Sequence, residues 1–181
     1  RFHNGRLMTV RDVRWTFERL LRTKDSQNRW VLFPVKGAQR FIQDPTVGLE
    51  GFRILGTHEF VLELEEPVSF FPAFLTFAPS AILPEGVEDV FGSYREGAAG
   101  TGPFRVTRFE PARRLELEAF PDYWRPGYPR AEGLTFTMNV PPAEILTGFR
   151  SGRFHLAWNV MPGDVDELRQ DKNLNARYRE T

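Results

Sequence analysis

The sequence predicts a mixed α/β (α+β) protein, and three patterns carry that expectation. Apolar residues recur at helical spacing near the start, at Val10, Val13, Phe17, Leu20 and Leu21. Elsewhere they alternate at strand spacing, as in Phe60, Leu62 and Leu64 and again in Leu115, Leu117 and Ala119. Towards the C-terminal end strand-like and helix-like segments interleave, which favours helices layered on sheet.

Thr9-Val10-Arg11-Asp12 fits a capping box, so a helix is expected from there through about Arg22. Residues 23 to 46 are irregular, with Trp30, Phe33 and Pro34 ahead of a short helix near Lys36 to Ile42. A long loop carrying exposed aromatics is a candidate binding element. Phe52 and Ile54, then Phe60, Leu62 and Leu64, flank Gly56-Thr57-His58-Glu59 and read as a β-hairpin with one buried face. Pro67 closes it, and Phe70, Phe71, Phe74, Leu75 and Phe77 read as a short helix packed into the core.

From Ala78 to Gly102 proline and glycine become dense and Glu85, Glu88, Asp89 and Glu96 accumulate, so a linker and a change of lobe are expected there. Gly100-Thr101-Gly102-Pro103-Phe104 is its pivot: the glycines relax the backbone and Pro103 fixes φ before the strand-like run Phe104-Arg105-Val106. A phosphate cradle would instead feed a helix. Strands follow at Leu115 to Ala119 and Leu134 to Met138, each half-buried. Pro141-Pro142 starts a helix through Phe149 that stops at Ser151-Gly152. A strand from Phe154 to Trp158, a helix from about Pro162 to Gln170 and a strand near Asn175 to Tyr178 complete the pattern.

Composition narrows the function. The 181 residues, 41% hydrophobic and 14% aromatic, suffice for one large domain or two small lobes. Twenty-four basic residues balance twenty-four acidic ones, so no global field favours nucleic acid or an anionic membrane. Cysteine is absent, which excludes a disulfide framework and a thiol nucleophile. No apolar run approaches the roughly 20 residues that span a bilayer. Arg1 opens inside a dense motif, so the chain is expected to be an internal piece of something longer.

Enzymatic readings find little support in the residues. His3, His58 and His155 lack the short spacing of a local metal site and read as surface or packed histidines. Ser69, Ser80, Ser93 and Ser151 sit in no G-x-S-x-G elbow. Glu65-Glu66 and Glu88-Asp89 lie at a strand end and in the linker, where solvated charge explains them better than paired acid and base.

Five stretches stand out in order: Phe2-His3-Asn4-Gly5, Leu7 to Val13, Gly100 to Phe104, Tyr123-Trp124 and Phe149-Arg150-Ser151-Gly152. In order and spacing they resemble the extracellular solute-binding proteins of family 5, the peptide-, dipeptide- and nickel-binding receptors of bacterial ABC importers. The resemblance implies part of a type II periplasmic-binding-protein fold. Residues 1–97 would be a peripheral small-lobe portion and residues 98–181 a portion of a ligand-binding lobe, with the opposing lobe absent from the chain. It also implies a receptor that binds a solute, an oligopeptide by preference, without transforming it and without a cofactor. The receptor would be periplasmic or a cell-surface lipoprotein, monomeric in its full-length parent, and would hand its ligand to ABC transporter membrane subunits, with no role for nucleic acid. A sensor domain of the same fold, fused to a transcriptional regulator or kinase, is the alternative.

Trp158-Asn159-Val160-Met161-Pro162 resembles the Tyr-Asn-Asn-Met-Pro stretch of oligopeptide-binding members, which implies ligand contact for Trp158 and Asn159. An indole offers a rigid apolar face with one donor, and an amide offers donor and acceptor to a peptide backbone. Trp158 also continues the alternation of Phe154 and Leu156, so a buried strand face is the competing reading. Arg29 and Trp30 fall where such members place a ligand-touching tyrosine, and covering its own core is the competing role for Trp30. The family usually carries an acidic residue where this chain has His155, a departure that bears on ligand class.

If the chain is one side of a clamp, the isolated 181-residue piece should bind the full natural protein's ligand far more weakly than that protein does. Calorimetry of both against one ligand checks this, and equal affinities would place the whole site within these residues.

Overall fold

The computed structural model describes residues 1–87, 100–158 and 160–170. They belong to two compact units, Arg1–Phe109 with Leu115–Thr135, and Glu110–Arg114 with Phe136–Thr181.

The first unit is built on α1, Val10–Arg22. Thr9 caps it in extended conformation, and the Asp12 carboxylate reaches back to accept from the Thr9 amide at 2.7 Å, so the expected capping box is present. The helical stripe is buried as its spacing requires: Val10, Val13, Phe17, Leu20 and Leu21 join Val31, Leu32, Val35, Phe41, Leu49 and Phe52 in one core. A 3₁₀ turn at Arg29–Leu32 and the short α2, Ala38–Gln43, close over that core. Gly37 enters α2 with φ 75°, a left-handed conformation that favours glycine.

β1, Phe52–Ile54, pairs antiparallel with β2, Phe60–Leu62, in the register Phe52 opposite Leu62 and Ile54 opposite Phe60. Only the base of this hairpin is covered. Phe52 is buried, whereas Ile54 and Phe60 are exposed, so the expected buried face stops halfway. The cause is reach: the tip runs beyond the core to the start of α1, where Thr57 O accepts from the Val10 amide at 2.9 Å. The Phe60 ring instead stacks on Phe52, 4.8 Å between centroids and 4° from parallel.

After α3, Phe71–Phe74, and a 3₁₀ turn at Ala78–Ser80, the chain was expected to become a linker. Through residue 85 it does not. Leu83 exchanges two hydrogen bonds with the buried Thr16 hydroxyl, at 3.0 and 3.3 Å, and the Glu85 amide donates to Asp12 Oδ1 at 2.8 Å. Segment 81–85 is therefore a strap across α1, made by tertiary hydrogen bonds that composition does not register. The rest of the expected linker, residues 88–99, lies outside the described residues.

β3, Phe104–Glu110, β4, Arg114–Ala119, and β5, Gly133–Thr137, form a three-stranded sheet in that order. β4 is half-buried along its length, but in β5 only Phe136 is, Leu134 being exposed. The pivot at Gly100 to Phe104 is tied into the first unit. The His3 amide donates to Gly100 O and His3 Nε2 lies within hydrogen-bond distance of Gly102 O, both at 3.0 Å. Its ring meets Phe120 edge-on at 4.9 Å.

In the second unit α4, Pro142–Arg150, packs Leu146 against Leu168 of α5, Pro162–Gln170, with Phe149 and Val160 alongside. α4 ends at Ser151-Gly152 as expected, Gly152 having φ 77°. Residues 154–158 form no strand, which corrects the expectation for Phe154 to Trp158. The Phe154 amide donates to Gly148 O at 3.0 Å and its ring lies under Arg153, so the chain folds back on α4 instead of extending. The strand expected near Asn175 to Tyr178 lies outside the described residues.

Asp12 has no solvent exposure. Burial acts to raise its pKa, while bonds from the Glu85 and Thr9 amides, the Arg6 guanidinium and the Thr9 hydroxyl lower it and prevail. A depressed carboxyl stabilises the fold above its unfolded value of about 3.9, and that contribution fades as pH falls through the folded value. Asp12→Asn should lower stability at pH 7 by roughly 2 to 4 kcal/mol. The gap from the unsubstituted protein should narrow below about pH 4, as urea unfolding across pH would show.

Candidate ligand-binding site

Two aromatic surfaces, one in each unit, carry the candidate residues. In the first unit, Val31 and Leu32 are fully buried and anchor the 3₁₀ turn, which leaves the preceding Trp30 at the surface, 38% exposed. Its ring meets Phe74 and Phe77 edge-on, at 5.0 and 5.4 Å, and Phe70 meets Phe74 at 5.4 Å. The aromatic run 70–77 was expected to be core, and only Phe71 is buried. A helix as short as Phe71–Phe74 can turn only one face inward, so Phe70 and Phe77, just outside it, remain exposed. Trp30 thus covers Phe74, the packing role weighed for it, and still presents an open face.

Arg29, beside it, donates from Nη1 to Lys24 O at 3.4 Å. Its Nε is buried with no hydrogen-bond partner among the described residues. A buried donor without an acceptor costs roughly 1–3 kcal/mol.

In the second unit Trp158 is 62% exposed and Leu156 64%, which overturns the reading of Phe154, Leu156 and Trp158 as a buried strand face. Trp158 stacks on Phe136 of β5, 6.1 Å between centroids and 4° from parallel. Asn159 lies outside the described residues. Phe136, Phe70 and Phe77 were read as packing residues and emerge as parts of open aromatic surfaces. Their spacing carried no signal of this, since periodicity reports a face and not what covers it.

No metal cluster of three or more His, Cys, Asp or Glu occurs among the described residues. His3 is packed, and His58 and His155 are exposed. Open hollows of about 280 and 240 Å³ lie in the first unit, and none of the candidate residues lines them. Among the described residues no helix is long and apolar enough to cross a membrane.

The described residues thus form a mixed α/β chain with an open aromatic surface in each unit. Residues 1–181 match the model of the bacterial extracellular solute-binding proteins, family 5 Middle, and the chain belongs to that family. It is 28% identical to Di/tripeptide-binding protein 4 of Pseudomonas aeruginosa over 182 aligned positions, covering 96% of this chain and 33% of that protein. Di/tripeptide-binding protein 1 of the same species is 30% identical over 76 residues, 42% of this chain and 14% of the relative. The OppA structure of Burkholderia pseudomallei superposes with a TM-score of 0.82 at 19% identity, over 94% of this chain and 35% of that one. Haemophilus influenzae OppA, in complex with RPPGFSPFR, gives 0.81 at 20% identity over the same shares. These likenesses establish the periplasmic-binding-protein fold of the family. The chain spans about a third of the length of the relatives it matches from end to end.

The open position of Trp158 depends on how the chain leaves α4. A Cβ on Gly148 would lie 2.5 Å from the Phe154 ring. An alanine inside a helix ordinarily gains about 1 kcal/mol over glycine, but here overpacking of 1–3 kcal/mol opposes it. Gly148→Ala should therefore fail to stabilise the protein and should shift the tryptophan near-UV dichroism, which thermal melts and spectra would show.

Proposed function

We propose that the natural protein containing this chain is the substrate-binding receptor of a bacterial ABC importer, working outside the cytoplasm on short peptides. The observation that carries the reading is the alignment of 96% of the chain with a di/tripeptide-binding protein. Residues 1–97 would belong to the peripheral lobe and residues 98–181 to a ligand-binding lobe, closed against the remainder of the protein. None of the relatives quoted above is a regulator or kinase, and the sensing alternative draws no support from them.

The receptor grips backbone atoms that every peptide offers, with side chains received in roomy, wet pockets. Trp158 supplies an apolar face and Asn159 an amide for the peptide backbone, and Trp30 and Arg29 are the further candidates for ligand contact. The ligand leaves unchanged, passed as a monomeric receptor's cargo to the importer's membrane subunits. Incubation with mixed peptides followed by mass spectrometry tests the last point, and hydrolysis products would overturn it.

Trp158→Ala in the full natural protein should weaken peptide binding by about 1 to 3 kcal/mol. Because the side chain is 62% exposed, stability should change by only about 0.5 kcal/mol. Asn159→Ala removes hydrogen-bonding groups with little apolar loss and should cost about 1 kcal/mol of affinity. Titration calorimetry beside thermal melts separates the effects, and unchanged affinity in both variants would remove these residues from the site.

A further inference from the structure

We propose that the Phe136–Trp158 stack is a specificity platform that selects peptides carrying an aromatic side chain, an inference that rests on the peptide-receptor reading above. The two rings are 4° from parallel and 6.1 Å apart between centroids, an offset stack that fixes the indole plane from one side. With Trp158 62% exposed, most of its surface remains open. Leu156, two residues before it, and Met161, three after, are exposed as well.

An indole face fixed by a neighbouring ring is a preformed surface for another flat ring. Offset or edge-on contact between rings adds attraction beyond the area buried, and a ring already held in place loses little freedom on binding. The same face attracts a cation, so lysine or arginine side chains are the competing occupants. The platform is assigned to a neutral ring because a parallel partner prepares the indole for stacking, and the lysine peptide in the test below reads the competing occupant.

The test is calorimetry on the full natural protein, freed of bound ligand by unfolding and refolding, against trialanine, Ala-Phe-Ala, Phe-Ala-Ala, Ala-Ala-Phe and Ala-Lys-Ala. At one position phenylalanine should tighten binding about three- to tenfold over alanine, the range an aromatic pair gives. Trp158→Ala and Phe136→Ala should reduce that preference to less than about twofold. Trp158→Leu, which keeps an apolar side chain, separates ring recognition from simple burial and should lose the preference too. Peptide binding without a phenylalanine preference, a preference that survives in all three variants, or a stronger response to lysine would overturn the platform and leave the receptor reading standing. Failure of every peptide to bind would overturn both.

Discussion

Asp12 stands third in its helix with its carboxylate wholly out of solvent, and the partners that compensate it come from separate parts of the chain. Thr9 supplies amide and hydroxyl, Arg6 a guanidinium and Glu85 an amide from more than seventy positions away. An isolated buried charge costs several kcal/mol, so the anion is tolerable only when all of these groups converge on it. Position adds to this, since the start of a helix carries a partial positive charge. The N-terminal turn, α1 and the strap at 81–85 are thereby fixed to one another, and the Thr16 to Leu83 bonds, one turn further along, extend the seam.

That seam explains which parts of the fold were legible in the sequence. α1, α4 and α5 carry their signals locally, in a capping box, a proline start and a glycine stop, so their bounds could be read to within a residue or two. The strap could not be read this way. It lies at the start of the proline- and glycine-dense stretch from Ala78 to Gly102, and what holds it is a pair of side chains on a distant helix. Phe154 to Trp158 failed for the complementary reason. Alternation states that two faces differ, but a strand also needs a neighbour to bond with, and here the Phe154 amide is already committed to Gly148.

The aromatic residues mark the same limit at the level of the site. Trp30 and Trp158 were singled out by resemblance and by their chemistry, and both are exposed. Phe70, Phe77 and Phe136 were assigned to packing, because a phenylalanine inside a helical or alternating run is ordinarily core. Their actual surroundings depend on how short α3 is and on what faces β5, neither of which is written in the run itself. Arg29 is a further instance: only a three-dimensional view shows that its Nε has no acceptor among the described residues while Nη1 has one.

The manner in which each exposed indole is held bears on what it can contribute to binding. A free tryptophan on a loop would lose side-chain freedom on meeting a ligand, and that loss offsets part of any contact energy. Trp30 is braced edge-on by Phe74 and Phe77, and Trp158 face-on by Phe136, so much of that freedom is already gone before a ligand arrives. The cost is met in folding, where these rings add little to the core that Leu21, Val31, Leu32 and Phe41 build without them. Bracing also differs in kind between the two units. Trp30 meets near-perpendicular partners, whereas Phe136 lies parallel to Trp158, the offset arrangement that a further ring can extend.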